Sequence, residues 1–510
     1  MHRSLIALGL IVTLLLSGCT KNSPPPEYTT EPTPNVSAIV TQTSFSLPYY
    51  PNASLHPIIS NNRANLILSN LVYQCLFELD NTFTPHEVLC SGFSVSEDGL
   101  TWTFTLGSSF FSDGSPVTAN DVVSSLELAR TSDLYAGRLS DVLLIAADTE
   151  QTVSIVLAHP NGALPCLLDI PIIRDPGDGS MPLGTGAYTF VEDNGPLRLA
   201  RSASAPKNVP REILLTPIET ADDMIYAFDS GEASLVVSDL TGANALGYSS
   251  GYEIFDYPTT TLLYVGFQTK TGPCREPLVR HILSRSFDRD TVAISLLAGH
   301  ASATCLPFSP LSALHSAKHE VLGEYDSSVG EELEQIGYSA DENGQLYKGR
   351  VPLSLTFVVN TDNSFKLAVA EYLSGQLAEL GISVDLQKLA WDDYLSALDR
   401  GAFDLYLGEV SLTADFDLSA LIGTNGTLNY GNYSGAEMDS LLTQLHTAAA
   451  EDRPRAAAAL LDYFQSETPL APLCFKKHAV LTQWKSISGL TPTRQNPFYN
   501  LESLRFSAAK

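Results

Sequence analysis

Hydrophobic and polar positions alternate most clearly between residues 92 and 130. Phe93 and Val95 alternate with polar residues, Glu97-Asp98-Gly99 makes a turn, and Trp102, Phe104 and Leu106 alternate with threonines. That pattern predicts a β-hairpin with one apolar face. Asp113-Gly114 turns the chain again. Thr118-x-x-Asp121 then opens a helix on which Val122, Leu126 and Ala129 share a side. A second hairpin is predicted over 139–158, where Val142, Leu144 and Ala146 face Val153, Ile155 and Leu157 across Asp148-Thr149-Glu150. Residues 351–407 read as strand, helix, strand, helix, strand. Leu353, Leu355, Phe357 and Val359 alternate. Leu367, Ala370, Leu373 and Leu377 follow helical spacing. Gly381 stops that helix, and Ile382, Val384 and Leu386 begin the next strand.

Elsewhere the periods are shorter. A first strand and turn are predicted over 45–57, one helix over 65–79 and a helix pair over 277–299. Residues 212–267 alternate strand and helix, and 469–505 are rich in strand. The chain is therefore of α/β class, and 510 residues imply two or three domains.

Charge narrows the function. A net charge of −28 excludes a nucleic-acid binder, which needs a basic footprint. Acidity on this scale serves solubility first and cationic ligands second. At the N-terminus Arg3 precedes an apolar run over 5–16, too short to cross a bilayer as a mature helix. It ends in Leu16-Ser17-Gly18-Cys19, which resembles a bacterial lipobox. The resemblance implies a signal peptide over 1–18 and a lipid on Cys19. Residues 21–44, rich in Pro, Thr, Asn and Ser, read as an extended tether. No later segment reads as a membrane span. Six further cysteines could pair outside the cytoplasm. Cys274–Cys305 and Cys75–Cys90 are slightly preferred pairings, with free thiols as the alternative.

Catalytic patterns are missing. There is no G-x-S-x-G, no P-loop and no C-x-x-C, and His86-Glu87 and His319-Glu320 each lack the second histidine of a zinc-protease helix. Gly184-Thr185-Gly186 lacks the third glycine of a dinucleotide fingerprint, and a strand follows it rather than a helix. Those glycines are expected to ease a tight turn. No enzyme, cofactor or metal is expected.

The order of the residues says more. D-G-L-T-W-T-F-x-L followed by F-x-D-G-x-P-V-T-A-x-D-V-V-x-S over 98–125 resembles the signature of the family 5 extracellular solute-binding proteins, the peptide- and nickel-binding subunits of ABC importers. Further stretches are similar to that family: Pro182 to Phe190, Phe228-Asp229-Ser230-Gly231-Glu232-Ala233, Leu263 to Thr269, Phe287-Asp288-Arg289-Asp290, and the run from Leu377 to Asp404. Ser54-Leu55-His56-Pro57 stands where the family has an acid or amide, and His56 is read as structural.

The resemblance implies a periplasmic-binding-protein-like type II fold, two lobes with a hinge plus an extra domain. Domain I would comprise 45–58, 176–264 and 482–510, domain II 59–175 and domain III 265–481. The solute, an oligopeptide first and a nickel chelate, opine or sugar otherwise, would bind between domains I and III. A monomer held at the outer face of the cytoplasmic membrane would then deliver it to the permease subunits and their ATPase. A surface sensor or signalling-peptide receptor is the alternative. The segment from Glu409 to Asp417 resembles W-x-x-D-Y-x-D-P, without its Trp and Pro. On it Asp415 takes the place of the acid that pairs with a peptide's α-ammonium. Tyr49, Tyr50, Gln268, Trp391, Tyr406 and Tyr430 lie in segments expected to border the cleft. The hairpin and helix of 92–130 are expected to frame the extra domain without touching ligand.

Overall fold

Threonines and aromatics make the first hairpin what it is. Cys90–Val95 and Thr101–Leu106 pair antiparallel, and Thr152–Leu157 and Val142–Thr149 extend them into a four-stranded sheet. Trp102, Phe104 and Leu106 are buried, as the alternation predicts. Phe93 and Val95, on the partner strand, stay 46% and 42% exposed. The helix Ala119–Ala129 buries Val122, Leu126 and Ala129. Asp121 Oδ2 accepts the Thr118 backbone N–H at 2.7 Å and the Thr118 hydroxyl at 2.7 Å. Both carboxylate oxygens also receive Arg174, at 2.8 and 2.6 Å. A first-turn acid thus caps its helix and anchors a distant loop.

This computed structural model describes residues 45–506 apart from 178, 192, 250 and 321–328. The apolar run at 5–16, Cys19 and the 21–44 tether lie outside the described residues. The described residues belong to one compact unit, and none of their helices is long and apolar enough to cross a membrane.

Two further sheets matter. In one, Ser46–Tyr49 runs parallel to Glu212–Pro217, which continues antiparallel to Arg198–Arg201 and Tyr188–Val191. The other has the order Leu235–Ser238, Leu470–Gln483, Tyr252–Phe267, Leu405–Ser411, Ser354–Asn360, Ser383–Leu389, with Ala301–Ala303 also on Leu470–Gln483. Its two longest strands have 16 and 14 residues. They pair from Tyr252↔Gln483 to Pro258↔Lys477, shift register, and resume at Leu262↔Phe475. Thr259 and Thr260 fill the break, donating their hydroxyls to the Lys476 and Leu412 carbonyls at 2.7 and 2.6 Å. Leu235–Ser238 pairs on one side of the break and Leu405–Ser411 on the other. The chain therefore passes twice between two halves of one sheet at the same place.

Beyond the break the central strands of this mixed sheet are buried on both faces, because helices cover each side. Leu263, Val265, Phe267 and Phe357 join a core with the helices Pro277–Arg285 and Ser364–Glu379. Leu262, Tyr264, Val358 and Tyr406 point the other way, into a core with Trp391–Asp399, Ala436–Thr447 and Arg453–Glu467.

Four expectations need correction. The helix predicted over 65–79 spans Arg63–Val72, because Tyr73 turns to extended backbone and Phe77–Leu79 becomes a strand. The second half of the 277–299 helix pair is a short π-helical segment, Thr291–Leu296. All six described cysteines are free thiols, so neither preferred disulfide forms. Gly184 and Gly186, expected to ease a tight turn, lie outside the left-handed region and serve close packing instead. A Cβ on either would lie 2.0 Å from the Val72 carbonyl oxygen or 2.5 Å from that of Leu71, so they permit backbone to pass against the end of a helix.

Candidate functional site

A cavity of about 1210 Å³ opens where the first hairpin meets the loop after Leu405–Ser411. One wall is aromatic. Phe77, Phe93 and Trp102 line it, with the Phe93 ring 5.4 Å from Trp102 and 5.9 Å from Phe77. Asp415 stands on the lining, 4% exposed.

The loop that carries Asp415 is rigid for identifiable reasons. Leu405–Ser411 ends in the sheet, and the Phe416 N–H closes a tight turn on the Thr413 carbonyl at 3.0 Å. Phe416 has φ 56°, a region that costs a bulky residue on the order of 1–3 kcal/mol. Its ring offsets the cost. It is 1% exposed and packs edge-on against Phe83 and Phe475, at centroid distances of 5.0 and 6.0 Å. Arg453, at the start of Arg453–Glu467, donates 2.6 and 3.1 Å bonds to the Asp415 and Leu445 carbonyls. Burial lowers the Arg453 guanidinium pKa, and Asp415 opposes that shift.

The Asp415 carboxylate itself is only partly satisfied. Asn161 Nδ2 donates to Oδ2 at 3.4 Å, and Asn161 Oδ1 accepts from the Ala163 N–H at 2.8 Å. Oδ1 has no partner among the described residues. The indole N–H of Trp102 has none either. A buried acceptor and a buried donor left open cost stability unless something else meets them. Cys166 is also on the lining; burial and then Asp415 push its thiol up to about 12, so it stays protonated and unreactive at neutral pH.

The other sequence candidates lie elsewhere. Tyr50 lines a separate cavity of about 440 Å³ with Asn62, Arg63 and Tyr248, its backbone held by Asn65 at 2.8 and 2.9 Å. Tyr49 packs on the core beneath the first sheet. Tyr406 is buried and donates to the Tyr264 hydroxyl at 3.4 Å, and the Tyr430 ring sits 6.2 Å from it, edge-on. Gln268 is buried, its amide 3.5 Å from the Gly401 carbonyl. Trp391 is exposed and stacked on Tyr394. Gln268, Trp391, Tyr406 and Tyr430 line neither of the two cavities. Asn161, Trp102, Phe93 and Arg453 are the residues that sequence reasoning did not single out. Alternation marked Phe93 and Trp102 as apolar, but only the fold turns them toward Asp415.

A model of the "Bacterial extracellular solute-binding proteins, family 5 Middle" matches residues 84–432. The chain belongs to that family, the substrate-binding proteins of ABC importers. Its mixed α/β fold is of the periplasmic-binding-protein-like type II class. Among curated relatives, a glutathione-binding protein of Salmonella typhi is 24% identical over 470 residues, 86% of this chain and 89% of that protein. The glutathione-binding protein of Escherichia coli K12 is 25% identical over the same length. These relatives are solute-binding proteins rather than enzymes. Solved structures share the fold: a nickel ABC transporter protein of Bacillus halodurans has a TM-score of 0.73 at 18% identity, covering 89% of this chain and 98% of that one. The oligopeptide-binding protein AppA of Bacillus subtilis, solved with a nonapeptide, has a TM-score of 0.60 at 19% identity, covering 91% and 98%.

Proposed function

We propose that this protein captures an oligopeptide in the cavity beside Asp415 and hands it to an importer's permease. The observation that carries the reading is the open Oδ1 of Asp415, buried on the lining of the larger cavity. A carboxylate oxygen held this way suits a peptide α-ammonium, because a charge-assisted bond made in a desolvated site is strong. The aromatic wall offers sequence-tolerant packing for side chains. Relatives that bind glutathione or a nonapeptide by name support a peptide ligand.

The rest of the arrangement follows the same reading. Cys19 carries a lipid, 19–44 tethers the domain, and the monomer works at the outer face of the cytoplasmic membrane beside its permease and ATPase. Domain I takes 45–58, 176–264 and 482–510, domain II 59–175 and domain III 265–481; with those bounds the Asp415 cavity is lined by domains II and III, not by I and III. The register break near Pro258 and Lys477 serves as the hinge about which the lobes close. Tyr50, Gln268, Trp391, Tyr406 and Tyr430 remain candidates for ligand contact in other degrees of lobe closure.

The test is mass spectrometry of ligand released from purified protein, followed by calorimetric titration of peptides. Asp415→Ala is expected to weaken peptide binding about tenfold or more. An unchanged affinity removes Asp415 from the site. A released sugar, with no binding of any peptide, ends the peptide assignment.

A further inference from the structure

The larger cavity has a one-sided charge inventory. Glu87, Glu97, Glu451 and Asp415 line it, contributed by four separate segments of chain. Glu87, Glu97 and Glu451 are exposed, and no hydrogen bond or ion pair engages their carboxylates among the described residues. Of the lysines and arginines among the described residues, only Arg453 reaches the lining. Its guanidinium is committed to the Asp415 and Leu445 carbonyls and is 7% exposed as a residue. His86, also on the lining, is paired with Asp80 at 2.9 Å. A ligand carboxylate would therefore meet no free cation there, while a ligand cation would meet four acids.

A second feature is independent of those acids. Asp415 is more than nine-tenths buried, and its Oδ1 has no donor. That is a buried acceptor oxygen with no donor of its own, beside an Arg453 guanidinium spent on backbone carbonyls, and it is costly until a donor arrives. The wall opposite adds exposed ring face at Phe93 and buried ring at Trp102, surfaces that attract cations as well as apolar groups. Like-signed charges around a low-dielectric concavity focus the field inside it, so discrimination by charge exceeds what one exposed acid would give.

We propose that the Asp415 cavity selects peptides by net charge, taking basic and aromatic peptides and rejecting anionic ones, glutathione included. The proposal rests on the peptide reading above and adds a specificity to it. Glutathione has two carboxylates and one ammonium, so its surplus carboxylate would enter a site with only acids to receive it. This chain would then differ in ligand from the glutathione-binding proteins to which it is 24–25% identical.

The experiment uses the whole mature protein and three tetrapeptides with free N-termini that differ only in Lys, Gln or Glu at the two middle positions, with glutathione as a fourth probe. Each is titrated calorimetrically at low and high ionic strength, against the parent protein and against a Glu87→Gln, Glu97→Gln, Glu451→Gln triple variant. The three side chains are exposed, so the variant is expected to fold unchanged, which its thermal melt checks. The expected result is that the Lys peptide binds about tenfold tighter than the Glu peptide, with glutathione weakest. That ratio shrinks to about threefold or less in high salt and in the triple variant. Charge selection is overturned, with the peptide reading intact, if the Glu peptide or glutathione binds as well as the Lys peptide. It is equally overturned if the triple variant keeps the full ratio. If no tetrapeptide of any charge binds, the peptide reading falls and takes the charge selection with it.

Discussion

Lys476 Nζ donates to Asp239 Oδ2 at 2.9 Å from a side chain that is 2% exposed. Lys476 lies on the long strand where its partner's register breaks, and it also lies 3.5 Å from Glu409 Oε2. Asp239 follows Leu235–Ser238 on one side of the break, and Glu409 belongs to Leu405–Ser411 on the other. One buried cation thus ties together the two halves of the sheet. Lys476→Met would leave both acids facing each other with less compensation. Losing one partner of a buried pair costs on the order of 3–5 kcal/mol, and the partial exposure of both acids brings the expected loss down to about 2–3 kcal/mol. Urea denaturation followed by circular dichroism measures it.

The same pair sets a pH dependence. Burial pushes the Asp239 carboxyl up, but His478 and Lys476 together outweigh it and hold the group well below the usual carboxylate range. A folded pKa below the unfolded one means the contribution is present above the unfolded value of about 3.9 and is lost as pH falls through the folded value. Thermal melts of the parent protein should therefore fall more steeply below about pH 4 than those of Asp239→Asn. Parallel curves for the two proteins would show that the pair carries no such linkage.

Gly186 marks a close approach of backbone to backbone. Its N–H donates to the Val72 carbonyl at 2.8 Å, and a Cβ there would lie 2.5 Å from both the Leu71 oxygen and the Val72 carbonyl carbon. Neither contact is a flexible side-chain end, so Gly186→Ala must move chain and should cost about 1–3 kcal/mol. Gly247, with nothing within 4 Å of the same position, is the control. Gly247→Ala should change stability by less than about 0.5 kcal/mol.

Gly162 links stability of the site to the ligand. It donates to the His446 carbonyl at 3.0 Å, and a Cβ would fall 1.7 Å from the Ala448 carbonyl oxygen. Gly162→Ala should push the 160–163 loop off its neighbour and carry Asn161 away from Asp415. Ligand affinity is expected to drop about tenfold, while the far-ultraviolet spectrum of the hairpin sheet is kept. Affinity equal to the parent's would show that this contact does not shape the site.

Much of the framework could be read before folding. Thr101–Leu106 and Ser354–Asn360 fall where a two-residue period runs, and Ser364–Glu379 where a helical one does, because burial of one face imposes its period on the residues. The helix drawn over 65–79 overran at Tyr73, since apolar residues at Leu76, Phe77 and Leu79 suit a buried strand as well as a helix. The family signature in 92–130 was legible too, and its strands supply Phe93, Val95 and Trp102 to the lining of the Asp415 cavity, so the proposed site would bring that hairpin to the ligand.

What the amino-acid order determined alone was therefore local and periodic: the strands, most helices, the capped turn at Thr118 and the family they spell. It also marked Asp415, through the residues beside it. Tertiary structure alone decided what Asp415 faces. Asn161 is 254 residues away in sequence and Arg453 is 38 away, and no period or motif connects them. Which face of a strand turns inward, and which open donor or acceptor ends beside which ring, depends on how separate sheets pack. Contacts of that kind are set by shape and by desolvation over the whole molecule, and no window of sequence contains them.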